Sequence, residues 1–333
     1  MPTSGQRVGV IGAGAWGTAM ATVAHRARCK TIIRAHEAEV VEAINTQHIN
    51  PDYLPGIPLD PAITATGAYT EAASADIILL ATPTQFARAT VAALAPHLAD
   101  GTPVVICSKG IEQETGKLLS EAISETAPNI TIAVLSGPTF ADEVARGLPT
   151  AVTLACENLD VANGLAEALG TPTFRPYMSG DVVGAQIGGA VKNVIAIACG
   201  IIDGRGLGQN ARAATIARGL AELARFGDAL NIDPRTLMGL SGLGDLTLTC
   251  TSVASRNYAV GKALGEGATH DDVMGNRRSV AEGVFTAPAV LTRAKALGVE
   301  LPICAAVDTI LHNNADIDVT IADVLSRPYR PEH

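Results

Sequence analysis

The apolar and polar positions of the first 180 residues alternate between short hydrophobic runs and helix-forming stretches. Runs at Val8–Ile11, Thr31–Ile33, Ile77–Ala81, Val104–Cys107, Thr131–Leu135 and Ala151–Ala155 are each three to five residues long and mostly apolar or β-branched, which is how strands buried on both faces read. Helical segments between them predict βαβ units and a doubly wound parallel sheet. Four prolines (Pro51, Pro55, Pro58, Pro61) crowd the segment HINPDYLPGIPLDP, which reads as a surface excursion or a flap. After Gly180 the alternation stops. Long helical patterns follow at Asp181–Ile202, Ala211–Phe226 and Pro234–Leu240, with several more from Tyr258 to Leu325. The expectation is an α/β chain with a Rossmann-type domain over residues 1–180 and an all-helical, substrate-binding domain over residues 181–333, the last of it, RPYRPEH, a frayed end.

The longest apolar stretch, Val182–Ile202, has nearly the length of a bilayer span, but Gln186, Lys192 and Asn193 interrupt its middle. Spanning with those groups is expensive, so it reads as a core helix and no membrane span is expected.

The first strand runs into a glycine turn. In VGVIGAGAWG the spacing is Gly12-x-Gly14-x-x-Gly17, followed directly by a helix-forming stretch. Gly12 fits the tight turn, Gly14 lets backbone approach a pyrophosphate, and Gly17 lets the helix lie close on the strand. A dinucleotide is the expected ligand, held at a helix N-terminus whose N–H groups are unpaired. Glu37, twenty residues beyond Gly17, fits the ribose hydroxyls of NAD, whereas Arg34 and His36 beside it fit a 2′-phosphate; the cofactor is NAD or NADP.

Composition narrows the partners. Of 333 residues 47% are hydrophobic and 17% charged, enough to fill two cores, and the net charge of −9 has no basic block to offset it. A nucleic-acid surface is not expected, and any anionic ligand needs a local cluster of bases. The six cysteines are scattered without metal-ligand spacing among themselves or with the seven histidines, so no metal site is expected. They read as reduced, buried residues, and with a strand starting so near Met1 no secretion signal is expected either. The expected location is the cytoplasm.

A dehydrogenase needs a group that gives and takes the alcohol proton. Lys192, alone in an apolar helix, is the candidate, because burial lowers the pKa of an ammonium toward neutrality; a lysine whose head snorkels to the surface is the other reading. In GLSGLGDLTLTCTSVASRNY, Asp245 is placed to pair with a lysine or to cap a helix. Arg256 between Ser255 and Asn257 suits phosphate oxygens or is an ordinary surface arginine. Ser108-Lys109-Gly110 and Ser136-Gly137-Pro138-Thr139 follow strands at their carboxyl ends, where open α/β sheets hold ligands.

The segments GAGAWGTAMA, SKGIE, SGPTFADEVARG, GGAVKNVIAIACGI, NARAATIARGLAE, GLGDLTLTCTS and AEG resemble the bacterial NAD(P)-dependent sn-glycerol-3-phosphate dehydrogenase family, from about Val8 to Arg327. The resemblance implies reversible oxidation of sn-glycerol 3-phosphate to dihydroxyacetone phosphate at the entry to glycerophospholipid synthesis, with a homodimer expected. It gives Lys192 the role of proton acceptor, oriented by Asp245. It places Lys109, Gly137, Thr139, Lys192, Asp245, Ser255, Arg256 and Asn257 around the substrate. Cofactor contacts fall to Gly12, Gly14, Ala15, Trp16, Gly17, His36, Lys109, Ala141, Arg256, Val280 and Glu282. Ala15 stands where the family usually has serine, Arg34 where it has tryptophan, His36 where arginine is common, and Gln186 where glutamate is usual. A reductase of the same architecture acting on another small acid, and a module that senses NAD(P) without turnover, are the alternatives left by the residues alone.

Overall fold

The computed structural model describes residues 5–269, 272–273 and 281–329. Ten strands are present among them: β1 (Arg7–Ile11), β2 (Lys30–Arg34), β3 (Ile49–Asn50), β4 (Leu54–Pro58), β5 (Thr64–Thr66), β6 (Ile77–Leu80), β7 (Pro103–Ile106), β8 (Thr131–Ser136), β9 (Thr150–Ala155) and β10 (Phe174–Ser179). Eight form one sheet in the order β10-β9-β8-β7-β6-β1-β2-β5. The interior strands β1 and β6 are buried along almost their whole length, which is why their sequences read as unbroken apolar runs.

The sheet is not parallel throughout. β8 and β9 pair antiparallel, Val134 opposite Ala155 and Ser136 opposite Thr153. The helix joining them, Ala141–Arg146, has six residues and rises only about 9 Å, short of the roughly 20 Å needed to carry the chain back along a six-residue strand. The chain therefore turns at the carboxyl edge and descends as β9. The longer helix Leu159–Leu169 returns it, and β10 pairs parallel with β9.

The proline-rich excursion is neither loose nor a flap. β3 and β4 pair antiparallel within it, and Leu54, Ile57 and Leu59 are buried in the core. Asn50, fully buried, donates from Nδ2 to Ala13 O and Thr18 Oγ1, both at 2.8 Å. The excursion is thereby fastened to the glycine turn.

From Val182 onward the described residues are helical and loop. The helix Val182–Gly204 has its N-terminus capped by Asp181, whose Oδ1 accepts from Gly184 N at 2.7 Å. It is long and apolar enough to cross a membrane, yet 89% of its most apolar window is buried inside the protein. Small residues let neighbours touch its backbone: a Cβ on Gly188 would lie 2.4 Å from Ser241 O, and one on Gly200 2.1 Å from Tyr258 O. Helices Gly208–Ala229, Asp245–Cys250, Arg256–Gly265, Glu282–Ala296 and Pro302–His312 surround it, and Ile317–Leu325 closes the chain. The pattern expected at Pro234–Leu240 breaks at Leu237. Leu240–Gly244 forms a π-helical turn instead. In the expected frayed end, Arg327 is bonded to Glu300 at 2.8 Å, and residues 330–333 lie outside the described residues. All six cysteines are free and buried.

Candidate active site

The glycine turn has the geometry its spacing implies. Gly12 has φ +108°, a conformation that favours glycine. A Cβ on Gly17 would fall 1.8 Å from Gly12 O, so only glycine lets the helix Ala15–Arg26 start against the strand. Gly14 differs. It is the N-cap with φ −64°, and a Cβ there meets nothing within 4 Å. Its absent side chain faces open space at a helix N-terminus that no side chain caps, a cradle for an anion.

A second group of side chains meets at the same carboxyl edge. Lys109, three residues past β7, donates from Nζ to Asp245 Oδ2 (2.8 Å), Gly137 O (2.8 Å) and Thr139 Oγ1 (3.1 Å). Gly137, four residues before the short helix Ala141–Arg146, has φ +148°, and its backbone lies close on Val152. Lys192 Nζ lies 3.0 Å from Asp245 Oδ1 and donates to Thr249 Oγ1 at 2.7 Å. Thr249 in turn donates to Asp245 Oδ1 at 3.2 Å. Asp245 is fully buried, set there by the π-helical turn that ends at Gly244. Lys192 is 8% exposed, and burial is the main cause of a pKa depressed from 10.5 to about 8, with Asp245 pulling back toward the charged form. One carboxylate therefore serves two ammonium groups, leaving the cluster cationic.

Asn193 ties this cluster to the rest of the helical part. It donates to Lys109 O at 3.2 Å and accepts from Asn257 Nδ2 at 2.8 Å, while Asn257 Oδ1 accepts from Gly283 N at 2.9 Å. Ser255 caps the helix Arg256–Gly265 by accepting from Tyr258 N. The side chains of Ser255 and Asn257 are thus occupied within the fold. What the SRN segment offers a ligand is the Arg256 guanidinium, solvent-exposed though crowded by protein, and the unpaired backbone N–H groups of the helix start.

Contacts link this cluster to the glycine turn. Gly12 packs on Ala81 and Thr82; Ser108 donates to Thr82 O; Thr84 N donates to Glu282 Oε1 at 3.0 Å. Several buried polar atoms here have no hydrogen-bond partner among the described residues: Trp16 Nε1, Thr82 Oγ1, Thr84 Oγ1, Ser136 Oγ and Glu282 Oε2. Burial also pushes the Glu282 carboxyl upward, against the pull of Arg256. Unsatisfied buried groups beside an open glycine cradle fit a polar ligand that runs from the turn to the lysines, as a dinucleotide does. Ala141 begins the helix after Thr139, facing the same edge. His36 is exposed in the turn beyond β2, and Val280 lies outside the described residues.

Family profiles agree with this geometry. The N-terminal profile of NAD-dependent glycerol-3-phosphate dehydrogenase matches residues 7–162 and the C-terminal one residues 181–322. The chain belongs to the NAD-dependent glycerol-3-phosphate dehydrogenase family. It is 54% identical to proteins of Parvibaculum lavamentivorans and Caulobacter vibrioides named glycerol-3-phosphate dehydrogenase (NAD(P)+), over 98% of this chain and 98% and 99% of theirs. A crystal structure of glycerol-3-phosphate dehydrogenase from Coxiella burnetii superposes with a TM-score of 0.93 at 35% identity, covering 97% of this chain and 99% of that one. D-mandelate dehydrogenase in complex with NADH shares the fold at a TM-score of 0.62 and 17% identity.

In this glycerol-3-phosphate dehydrogenase family chain, reading the residues missed two members of the cluster. Thr249 stands four residues after Asp245, on the same helix face, and that spacing is the signal it carried. Asn193 adjoins Lys192 and bonds to the Lys109 backbone. Its role needs the fold, because residue 109 is remote in sequence.

Proposed function

We propose that the chain is an NAD(P)-dependent dehydrogenase that interconverts sn-glycerol 3-phosphate and dihydroxyacetone phosphate. One observation carries the reading: a buried lysine with its pKa near 8, held by Asp245 and Thr249, at the sheet edge that bears the glycine turn. A bound nicotinamide dinucleotide supplies the two-electron chemistry. The protein's own groups handle the proton and the charge.

Lys192 Nζ holds the proton that the carbonyl oxygen acquires on reduction and takes it back from the hydroxyl on oxidation. Asp245 and Thr249 fix the ammonium in place, since each accepts from it and one bonds the other. Lys109, pinned by Gly137, Thr139 and Asp245, and Arg256 at its helix start attract the substrate phosphate, with Ser255 and Asn257 shaping that wall. Gly12, Gly14, Ala15, Trp16 and Gly17 hold the pyrophosphate and His36 the adenosine end. Ala141, Lys109, Arg256 and Glu282 border the nicotinamide end. Val280 joins them on the resemblance alone.

The corresponding division is a dinucleotide-binding domain over residues 1–180 and a helical substrate-binding domain over residues 181–333. Free, buried cysteines favour a reducing cytoplasmic setting, and the family resemblance favours a homodimer that feeds glycerophospholipid synthesis. The test is direct: purified protein should oxidise NADH or NADPH on addition of dihydroxyacetone phosphate and not of ketopantoate or a 2-oxo acid. Absence of dihydroxyacetone phosphate turnover with either cofactor overturns the proposal.

A further inference from the structure

The end of β2 is where a dinucleotide fold chooses between cofactors, because that edge lies beside the adenosine ribose. An acid there accepts from the 2′-hydroxyl of NAD, whereas an arginine accommodates the 2′-phosphate of NADP. By residue count Glu37 competes for the position. The structure separates the two candidates.

Arg34 is the last residue of β2, and its carbonyl accepts the N–H of Gly12 at 3.0 Å. It therefore stands directly against the first glycine of the dinucleotide turn. Its guanidinium lies over the Tyr69 ring, 4.1 Å from the centroid, and Nε donates to Gly67 O at 3.3 Å. These contacts fix the stem and one nitrogen. The two terminal amino groups have no hydrogen-bond or carboxylate partner among the described residues. Glu37 lies three residues past the strand, as N-cap of the helix Ala38–Gln47, and its Oε1 accepts from Tyr53 OH at 2.9 Å. Exposed His36 separates them. The position of the NAD-type acid is thus filled by a preordered base, and the acid is drawn aside to the β3–β4 pair.

We infer that Arg34, stacked on Tyr69, is a subsite for a ribose 2′-phosphate and makes this chain prefer NADP over NAD. The inference rests on the dehydrogenase reading for its setting, but it concerns only the adenosine end. A guanidinium with two free amino groups matches phosphate oxygens bidentately, and the aromatic ring beneath lowers the entropy lost on binding.

The experiment is calorimetric titration of the full chain with 2′,5′-ADP and with 5′-AMP, which differ in the 2′-phosphate, alongside NADPH and NADH. Wild type should bind 2′,5′-ADP at least about tenfold more tightly than 5′-AMP, and NADPH more tightly than NADH. Arg34→Ala should shrink both ratios by about ten- to hundredfold, the loss expected for charge-assisted bonds. Arg34→Lys, which keeps the charge and loses the fork, should fall between. Equal wild-type affinities for the two mononucleotides, or ratios unchanged in Arg34→Ala, overturn the inference. Should Arg34→Ala fail to fold, the wild-type and Arg34→Lys ratios decide it. If dihydroxyacetone phosphate is turned over while NADH and NADPH bind alike, this inference alone falls. If neither cofactor binds, the dehydrogenase reading falls with it.

Discussion

A proton donor whose pKa sits near 8 leaves a signature in the pH profile. Lys192 is depressed from 10.5 to about 8 chiefly because the protein buries its ammonium, so at pH 7 about nine-tenths of the free enzyme carries the proton and at pH 9 about one-tenth does. In the direction of dihydroxyacetone phosphate reduction, kcat/KM should fall about tenfold between those two values, and in the direction of alcohol oxidation it should rise through the same window. The same depression has a stability consequence. The folded state sheds its proton near 8 and the unfolded chain near 10.5, so between them the unfolded state binds more protons and stability rises with pH. At about 1.4 kcal/mol per pKa unit the full gain is on the order of 3 kcal/mol. Lys192→Met should abolish both effects: kcat should drop by about 10²- to 10⁴-fold, and urea midpoints should lose their rise between pH 8 and 10.5 while cofactor affinity stays native. Rates followed by NAD(P)H absorbance that stay flat from pH 7 to 9.5 in wild type, or a Lys192→Met variant that keeps the pH limb, would refute the assignment.

Gly14→Val should fold with a native melting curve yet lose NAD(P)H binding in a fluorescence titration, because its side chain enters open space, whereas Gly17→Val should fail to fold, having Gly12 O only 1.8 Å from the new Cβ. Thr249→Val removes the hydroxyl that accepts from Lys192 and donates to Asp245; kcat should fall about tenfold or more with cofactor Kd unchanged, in line with one lost hydrogen bond to a charged group. Arg256→Ala should lower kcat/KM for dihydroxyacetone phosphate by about one to two orders of magnitude and shrink its advantage over unphosphorylated dihydroxyacetone. If both substrates slow equally, Arg256 serves the cofactor or the fold instead.

Much of the fold was legible because burial on both faces leaves a plain mark. All six strands expected from apolar runs are present within a residue at either end. The strands that were missed lack that mark: β5 is Thr-Ala-Thr, and β10 is an edge strand with Pro176 and exposed Tyr177 and Met178. The prolines of the excursion conveyed a break in regular structure but not that Asn50 would reach back to the glycine turn, which is a contact between residues far apart in sequence. The π-helical turn was equally silent. Its residues, LSGLG, carry no periodicity, and only the packing shows that the turn needs glycine at 242, where a Cβ would lie 1.9 Å from Leu237 O.

On the proposed reading, that turn explains how a chain of net charge −9 would gather two phosphate-bearing ligands in one place. A regular helix through residues 234–250 would rotate Asp245 relative to the long helix; the widened turn instead delivers it, fully buried, to a point that Lys109 and Lys192 both reach. Gly189 makes the approach feasible, because a side chain there would press on Ser136 Oγ at 2.7 Å and on the Lys109 stem at 3.3 Å. The proposed site then counts three bases, Lys109, Lys192 and Arg256, against two acids, Asp245 and Glu282. Burial pushes the pKa of the Glu282 carboxyl upward. If the proposed roles hold, anion binding here depends on a few groups in a poorly screened interior rather than on the net charge of the surface, so surface charge can be changed widely while neutralising any one of those three bases should weaken phosphate binding.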